Sequence, residues 1–307
     1  MLARHSSHDR RAPGHAKIDV VPARPSRRLL ITGAIALTTG ALTGCGVRLE
    51  DDAPDLPFVP RREPIPGEAA LLAVLGTLED SDVLHSAQRA GLLRDALEEA
   101  QVPVALLDEP AAPATDAETA AAFEASVREC GPPLLRLVGQ LTATHRISTP
   151  LGDKTRLWTA AGTDAWQAGE VAATALEATR ATMYALDVLA GQTARPGQGT
   201  VPEAALAASR ELQGLSVRQT TAAGDAVEPI ALGYDRPDDL SGTKGHDWVV
   251  GSFVRLQAAY ADCFDHLADD RDAALEVTQW MVTAEEISRA QFLQDVPELY
   301  GDGEHQP

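Results

Sequence analysis

The sequence predicts an all-α protein: a four-helix bundle, preceded by a shorter helical segment and a basic leader. Apolar residues recur every three or four positions through most of the chain, which is the period of a helix with one buried face. No stretch alternates apolar and polar residues long enough to make a half-buried strand. The second half holds four long periodic segments, paired as two hairpins by short connections and joined by one long crossover.

The leader comes first. Arg4, Arg10, Arg11, Lys17, Arg24, Arg27 and Arg28 face only Asp9 and Asp19, and an uncharged run from Leu29 to Leu42 follows. That run is too short and too rich in Gly and Thr for a permanent span of a ~30 Å hydrocarbon layer, and it reads as the apolar part of an export signal. Arg27-Arg28 directly before it matches a twin-arginine signal. Leu42-Thr43-Gly44-Cys45 resembles a lipobox, in which an apolar residue and two small ones precede a cysteine that is acylated and becomes the new N-terminus after cleavage. Residues 1–44 are therefore expected to be a lipoprotein signal peptide, read by the export machinery and lipoprotein-processing enzymes. The protein would then sit on the outer face of the bacterial cell membrane, anchored by the lipid on Cys45.

Charge supports lipid rather than basic attachment. The chain has 26 basic and 45 acidic residues, a net charge of −19. The leader takes seven of the basic and two of the acidic residues, leaving 19 against 43, or −24. Such a surface excludes nucleic acid as a partner and repels anionic lipid headgroups. Acyl chains at roughly 0.8 kcal/mol per buried CH₂ overcome that repulsion.

Residues 45–66 carry Pro54, Pro57, Pro60, Pro64 and Pro66 and read as an extended tether. Leu56, Phe58, Val59 and Ile65 also suit a tether that docks along the folded part. Residues 67–150 form the N-terminal helical segment. Its first helix spans about Glu68 to Leu78, and its second about Val83 to Gln101, before Pro103. A spacer with Pro110 and Pro113 leads to Thr115-x-x-Glu118, a capping box that starts a third helix. Gly131-Pro132-Pro133 breaks this helix, which restarts through Leu134, Leu135, Val138 and Leu141.

Residues 155–296 form the bundle. Its first helix is expected from about Thr159 to Ala190, with Trp166, Ala173, Leu176, Met183 and Leu186 as its stripe. Thr200-x-x-Glu203 caps a second, to about Thr221. An extended crossover (Val227 to Pro237) precedes a third from about Asp247 to Leu267, with Val249, Phe253, Leu256, Tyr260, Cys263 and Leu267 as a packing seam. The fourth runs from about Arg271 to Leu293, and 297–307 is a tail.

The leader, Leu176–Tyr184 (LEATRATMY) and Ala258–Asp262 (AAYAD) together resemble exported actinobacterial lipoproteins that carry a ferritin-like domain of unknown function. Ferritin-like metal sites use inward glutamates and Glu-x-x-His pairs on facing helices. The resemblance implies a Glu-His pair where this chain has Thr179 and Arg180, and no histidine lies between Val201 and Thr221 for a second half-site. The expected role is thus non-enzymatic, in binding or scaffolding at the cell envelope, with no catalytic residues and no cofactor. The alternative is a metal-dependent ferritin-like oxidoreductase or metal-binding protein, exported folded, with iron or manganese on Glu170, Glu177, Asp262 and His266. Glu285 and Glu286 lie on the fourth helix as further acids, and Arg180 is placed to pair with Glu177 along its helix. Cys130 and Cys263 are open to two readings, a disulfide in an oxidising compartment or two small buried hydrophobes.

Overall fold

A computed structural model of the chain describes residues 62–148, 164–193, 201–241, 243–292 and 296–302. The chain divides into two units, residues 1–61 and residues 62–307, and all described residues belong to the second. The described residues are helical, with no strands. No helix among them is long and apolar enough to cross a membrane.

The N-terminal helices are α1 (Glu68–Glu79), α2 (Ser86–Glu99), the short α3 (Val104–Leu107), α4 (Asp116–Glu129) and α5 (Leu135–Ser148). The starts of α1, α4 and α5 have identifiable causes. At α1, Gly67 adopts φ 72° and packs on the backbone of Glu129 and Cys130, where a Cβ would come within 2.9 Å of Cys130 N. Glu68 then accepts from the Ile65 amide and from the Arg62 guanidinium. At α4 the expected capping box is in place: Thr115 Oγ1 accepts from the Glu118 amide at 3.2 Å, and Glu118 reaches back to the Ala114 amide at 3.1 Å. The prolines after Gly131 turn the chain through one 3₁₀ turn, Pro132–Leu134, into α5.

The second half holds α6 (Gly169–Thr193), α7 (Val201–Ala223), α8 (Lys244–Cys263) and α9 (Arg271–Gln291). α6 packs against both α7 and α8, and α9 packs against the same two from the other side. The described residues between α7 and α8 carry no regular helix beyond the 3₁₀ turn Gly224–Ala226, in keeping with the expected crossover. α9 also packs on α4 and α5, and through them the two halves meet. Leu75 and Leu93 from the first half and Leu212, Phe253 and Trp280 from the second all belong to one buried apolar cluster. Side chains of this size each gain about 1.5–3 kcal/mol on burial, so neither half is complete without the other.

Two expectations are corrected. α6 starts at Gly169, ten residues later than the periodicity suggests; residues 159–163 lie outside the described part, and 164–168 are not helical. Trp166 is held there by tertiary bonds instead, its amide donating to Ala222 O at 2.8 Å and its indole to Glu276 at 3.0 Å. The start of the expected tail is also packed: Leu299 and Tyr300 are buried, and Gly301, at φ 95°, lies so close to α8 that a Cβ would sit 2.5 Å from Ala261 Cβ.

Candidate functional site

The centre of the four long helices holds Thr179 from α6, Gln219 from α7 and Tyr260 from α8, none with any exposed surface. Thr179 Oγ1 lies 2.8 Å from Gln219 Oε1 and 2.7 Å from the Tyr260 hydroxyl, and Gln219 Nε2 lies 2.9 Å from that hydroxyl. Gln219 Oε1 can only accept and its Nε2 only donate, and each hydroxyl has one proton; that of Thr179 has a second acceptor in Ala175 O, at 3.0 Å. Gln219 Nε2 donates to Tyr260, Tyr260 donates to Thr179, and Thr179 donates to Gln219 Oε1. The result is a closed ring in which each residue both gives and accepts. Burial pushes the Tyr260 phenol well above its ordinary range, so it stays neutral.

Thr179 stands where the family resemblance implies a metal-binding glutamate. A neutral ring with its protons committed inward offers no anionic ligand. Its neighbour Arg180 turns outward, donating to Glu228 O at 3.1 Å and pairing with Glu177 at 3.6 Å as expected. The residues at this centre therefore do not fit iron or manganese, which favour carboxylate and imidazole ligands.

The four alternative ligands are not brought together. Glu170 is exposed in the first turn of α6. The Glu177 side chain is 43% exposed, and Asp262, 64% exposed, pairs with Arg136 of α5 at 2.7 Å. His266 is exposed in the 3₁₀ turn Phe264–His266. Among the described residues, no three His, Cys, Asp or Glu side chains are placed to hold a metal. Glu286 is exposed, whereas Glu285 is buried and accepts from Tyr300 and Arg289.

Cys130 and Cys263 are both buried and both free, so the disulfide reading is corrected in favour of small core residues. Cys130 ends α4, where Arg271 donates to its carbonyl at 2.9 Å. Cys263 lies against the carbonyls of Ala259 and Val171 on the α6 side of α8. Burial pushes the Cys263 thiol up to about 12 and raises that of Cys130, so neither is an activated nucleophile. Arg27, Arg28, Leu42, Gly44 and Cys45 lie outside the described residues.

Several buried polar groups have no counterpart in the sequence reading. Glu276 on α9 accepts from Trp166, whose ring stacks on Trp280 at 4.8 Å. Arg89 of α2, 1% exposed, donates to the carbonyls of Glu298 at 2.6 Å and Pro297 at 3.2 Å. Gln140 of α5 donates to Tyr300 O at 3.0 Å, and the Tyr300 hydroxyl sits between Glu285 and Arg289, 2.8 Å from each. Helical periodicity marks these positions only as inward-facing. Their partners lie far along the chain, and no local signal names them.

No family model matches the chain, and neither a curated protein nor a solved structure is significantly similar to it.

Proposed function

We propose that the chain is an extracytoplasmic lipoprotein, exported by the twin-arginine route and anchored through Cys45 to the outer face of the membrane. Its folded part is a degenerate ferritin-like bundle with a non-enzymatic binding or scaffolding role. The observation that carries the loss of metal chemistry is the Thr179–Gln219–Tyr260 ring, a set of neutral groups satisfied by one another at the centre of the bundle. The ferritin-like reading rests on the packing order, in which α6 and α9 each lie beside α7 and α8 and a long connection joins the two hairpins.

The anchor rests on Leu42-Thr43-Gly44-Cys45 and the basic leader before it. Its test is detergent phase partition of the protein expressed with its own leader in a bacterium that processes lipoproteins. The wild type is expected in the detergent phase with a diacylglyceryl mass on an N-terminal Cys45, and Cys45→Ala in the aqueous phase. An unmodified Cys45, or equal partition of the two proteins, would refute the anchor.

A further inference from the structure

We infer that residues 296–302 are a peptide ligand bound in cis. α2, α5, α8 and α9 build a seat for a segment of the type Pro-x-Leu-Tyr-Gly-Asp, and the seat takes up such a peptide from outside the chain once its own segment is displaced. The seat goes beyond the proposed function and depends neither on the anchor nor on the family of the bundle.

Side chains hold the main chain of the segment. Arg89 of α2 donates through Nε to Glu298 O at 2.6 Å and through Nη2 to Pro297 O at 3.2 Å. Gln140 of α5 donates to Tyr300 O at 3.0 Å, and one turn further on Thr144 Oγ1 accepts from the Tyr300 amide at 3.4 Å. Arg89, Gln140 and Thr144 are each 3% exposed or less. Among the described residues, no main-chain to main-chain hydrogen bond joins 296–302 to the helices. Among the same residues, Arg89 bonds only to the two carbonyls, so displacement of the segment leaves a buried cation whose donors suit the carbonyls of another peptide.

The side chains of the segment are read in turn. Pro297, Leu299, Tyr300 and Gly301 are buried, while Glu298 and Asp302 are exposed. The Tyr300 hydroxyl donates to Glu285 and accepts from Arg289 of α9, each at 2.8 Å, which favours a phenol over a plain phenyl ring. Gly301 adopts φ 95°, and a Cβ there would lie 2.5 Å from Ala261 Cβ on α8, so a larger residue does not fit. Asp302 accepts from Gln140 at 2.9 Å. Main-chain bonds that give affinity, with side-chain pockets that give specificity, are the division of labour of peptide-recognition sites. Only residues 293–295 separate the segment from Phe292. A link that short gives it an effective concentration on the order of mM, which closes the seat to micromolar peptide.

The test uses the full chain and a fluorophore-labelled, end-blocked peptide of residues 296–302. In a full-length variant carrying both Tyr300→Ala and Gly301→Val, the cis segment no longer fits its seat. Fluorescence anisotropy is expected to show saturable binding of the wild-type peptide to this variant, and binding at least about 10-fold weaker to the unaltered chain. A peptide carrying the same two changes is expected to bind neither. No saturable binding to a variant that keeps its helical circular dichroism, equal binding of the two peptides, or equal affinity of the two chains would overturn the inference. Should the variant not fold, amide hydrogen exchange of the unaltered chain decides. Exchange of Leu299, Tyr300 and Gly301 through a local opening, at least about 10-fold faster than the slowest α9 amides, supports a displaceable ligand. Exchange of the three at the rate of those α9 amides refutes it.

Discussion

Removing the Tyr260 hydroxyl should cost more than removing the entire Gln219 amide, because the two changes leave different orphans. In Tyr260→Phe, Thr179 still donates to Gln219 Oε1, but Gln219 Nε2 loses the acceptor 2.9 Å away in a site with no exposed surface. A buried donor left without a partner costs about 1–3 kcal/mol. In Gln219→Leu the remaining pair repairs itself: Tyr260 donates to Thr179, and Thr179 turns its proton to Ala175 O at 3.0 Å. No donor is orphaned, and the expected cost is below about 1 kcal/mol. In a folded unit of this size, 2 kcal/mol lowers Tm by roughly 4–8 °C. Urea and thermal unfolding followed by circular dichroism would measure both variants and the double variant. The double variant should resemble Gln219→Leu, giving a coupling as large as the Tyr260→Phe cost, about 1–3 kcal/mol. Equal or reversed costs, or strict additivity, would refute the closed ring.

Other consequences follow from packing and charge. Gly139→Ala on α5 would drive a Cβ to 2.5 Å from the Phe264 ring and should destabilise by about 1–3 kcal/mol. Gly91→Ala on α2 meets no neighbour within 4 Å and should stabilise by about 0.5–1 kcal/mol, so urea midpoints should move in opposite directions. Burial raises the Glu276 carboxyl, whose contribution is therefore present at low pH and lost as pH rises through its folded value. Glu276→Gln keeps an acceptor for the Trp166 indole, and a stability profile from pH 4 to 8 should be flatter and higher at its neutral end than that of the wild type. Tyr300→Phe leaves Glu285 paired with Arg289 at 2.9 Å and should cost only about 1 kcal/mol in the same unfolding assay.

Much of the helical layout was legible because its signals are local. Thr115 with Glu118, the prolines after Gly131 and the three-and-four spacing from Val249 to Cys263 each mark an element without reference to anything distant. The misread positions depend on long-range partners. Trp166 fits the α6 stripe by spacing, yet bonds to Ala222 and Glu276 hold it outside the helix. α3 is one turn hidden after Pro103, too short to show a period. Arg89 and Gln140 look like ordinary helical polar residues until residues 297–302 reach them. At the candidate site, the family resemblance singled out Thr179, as the position where it implies a metal-binding glutamate. The ring itself needed Gln219 and Tyr260, whose meeting depends on how three helices pack.

The most direct test is elemental analysis by inductively coupled plasma mass spectrometry of the protein expressed with its residues 1–44 in a bacterium and purified without chelators or a histidine tag. Trace metal only, unchanged in Glu177→Ala and His266→Ala variants, is the expected result for a bundle whose centre is the neutral Thr179–Gln219–Tyr260 ring. Near-stoichiometric iron or manganese that falls in those variants would contradict it.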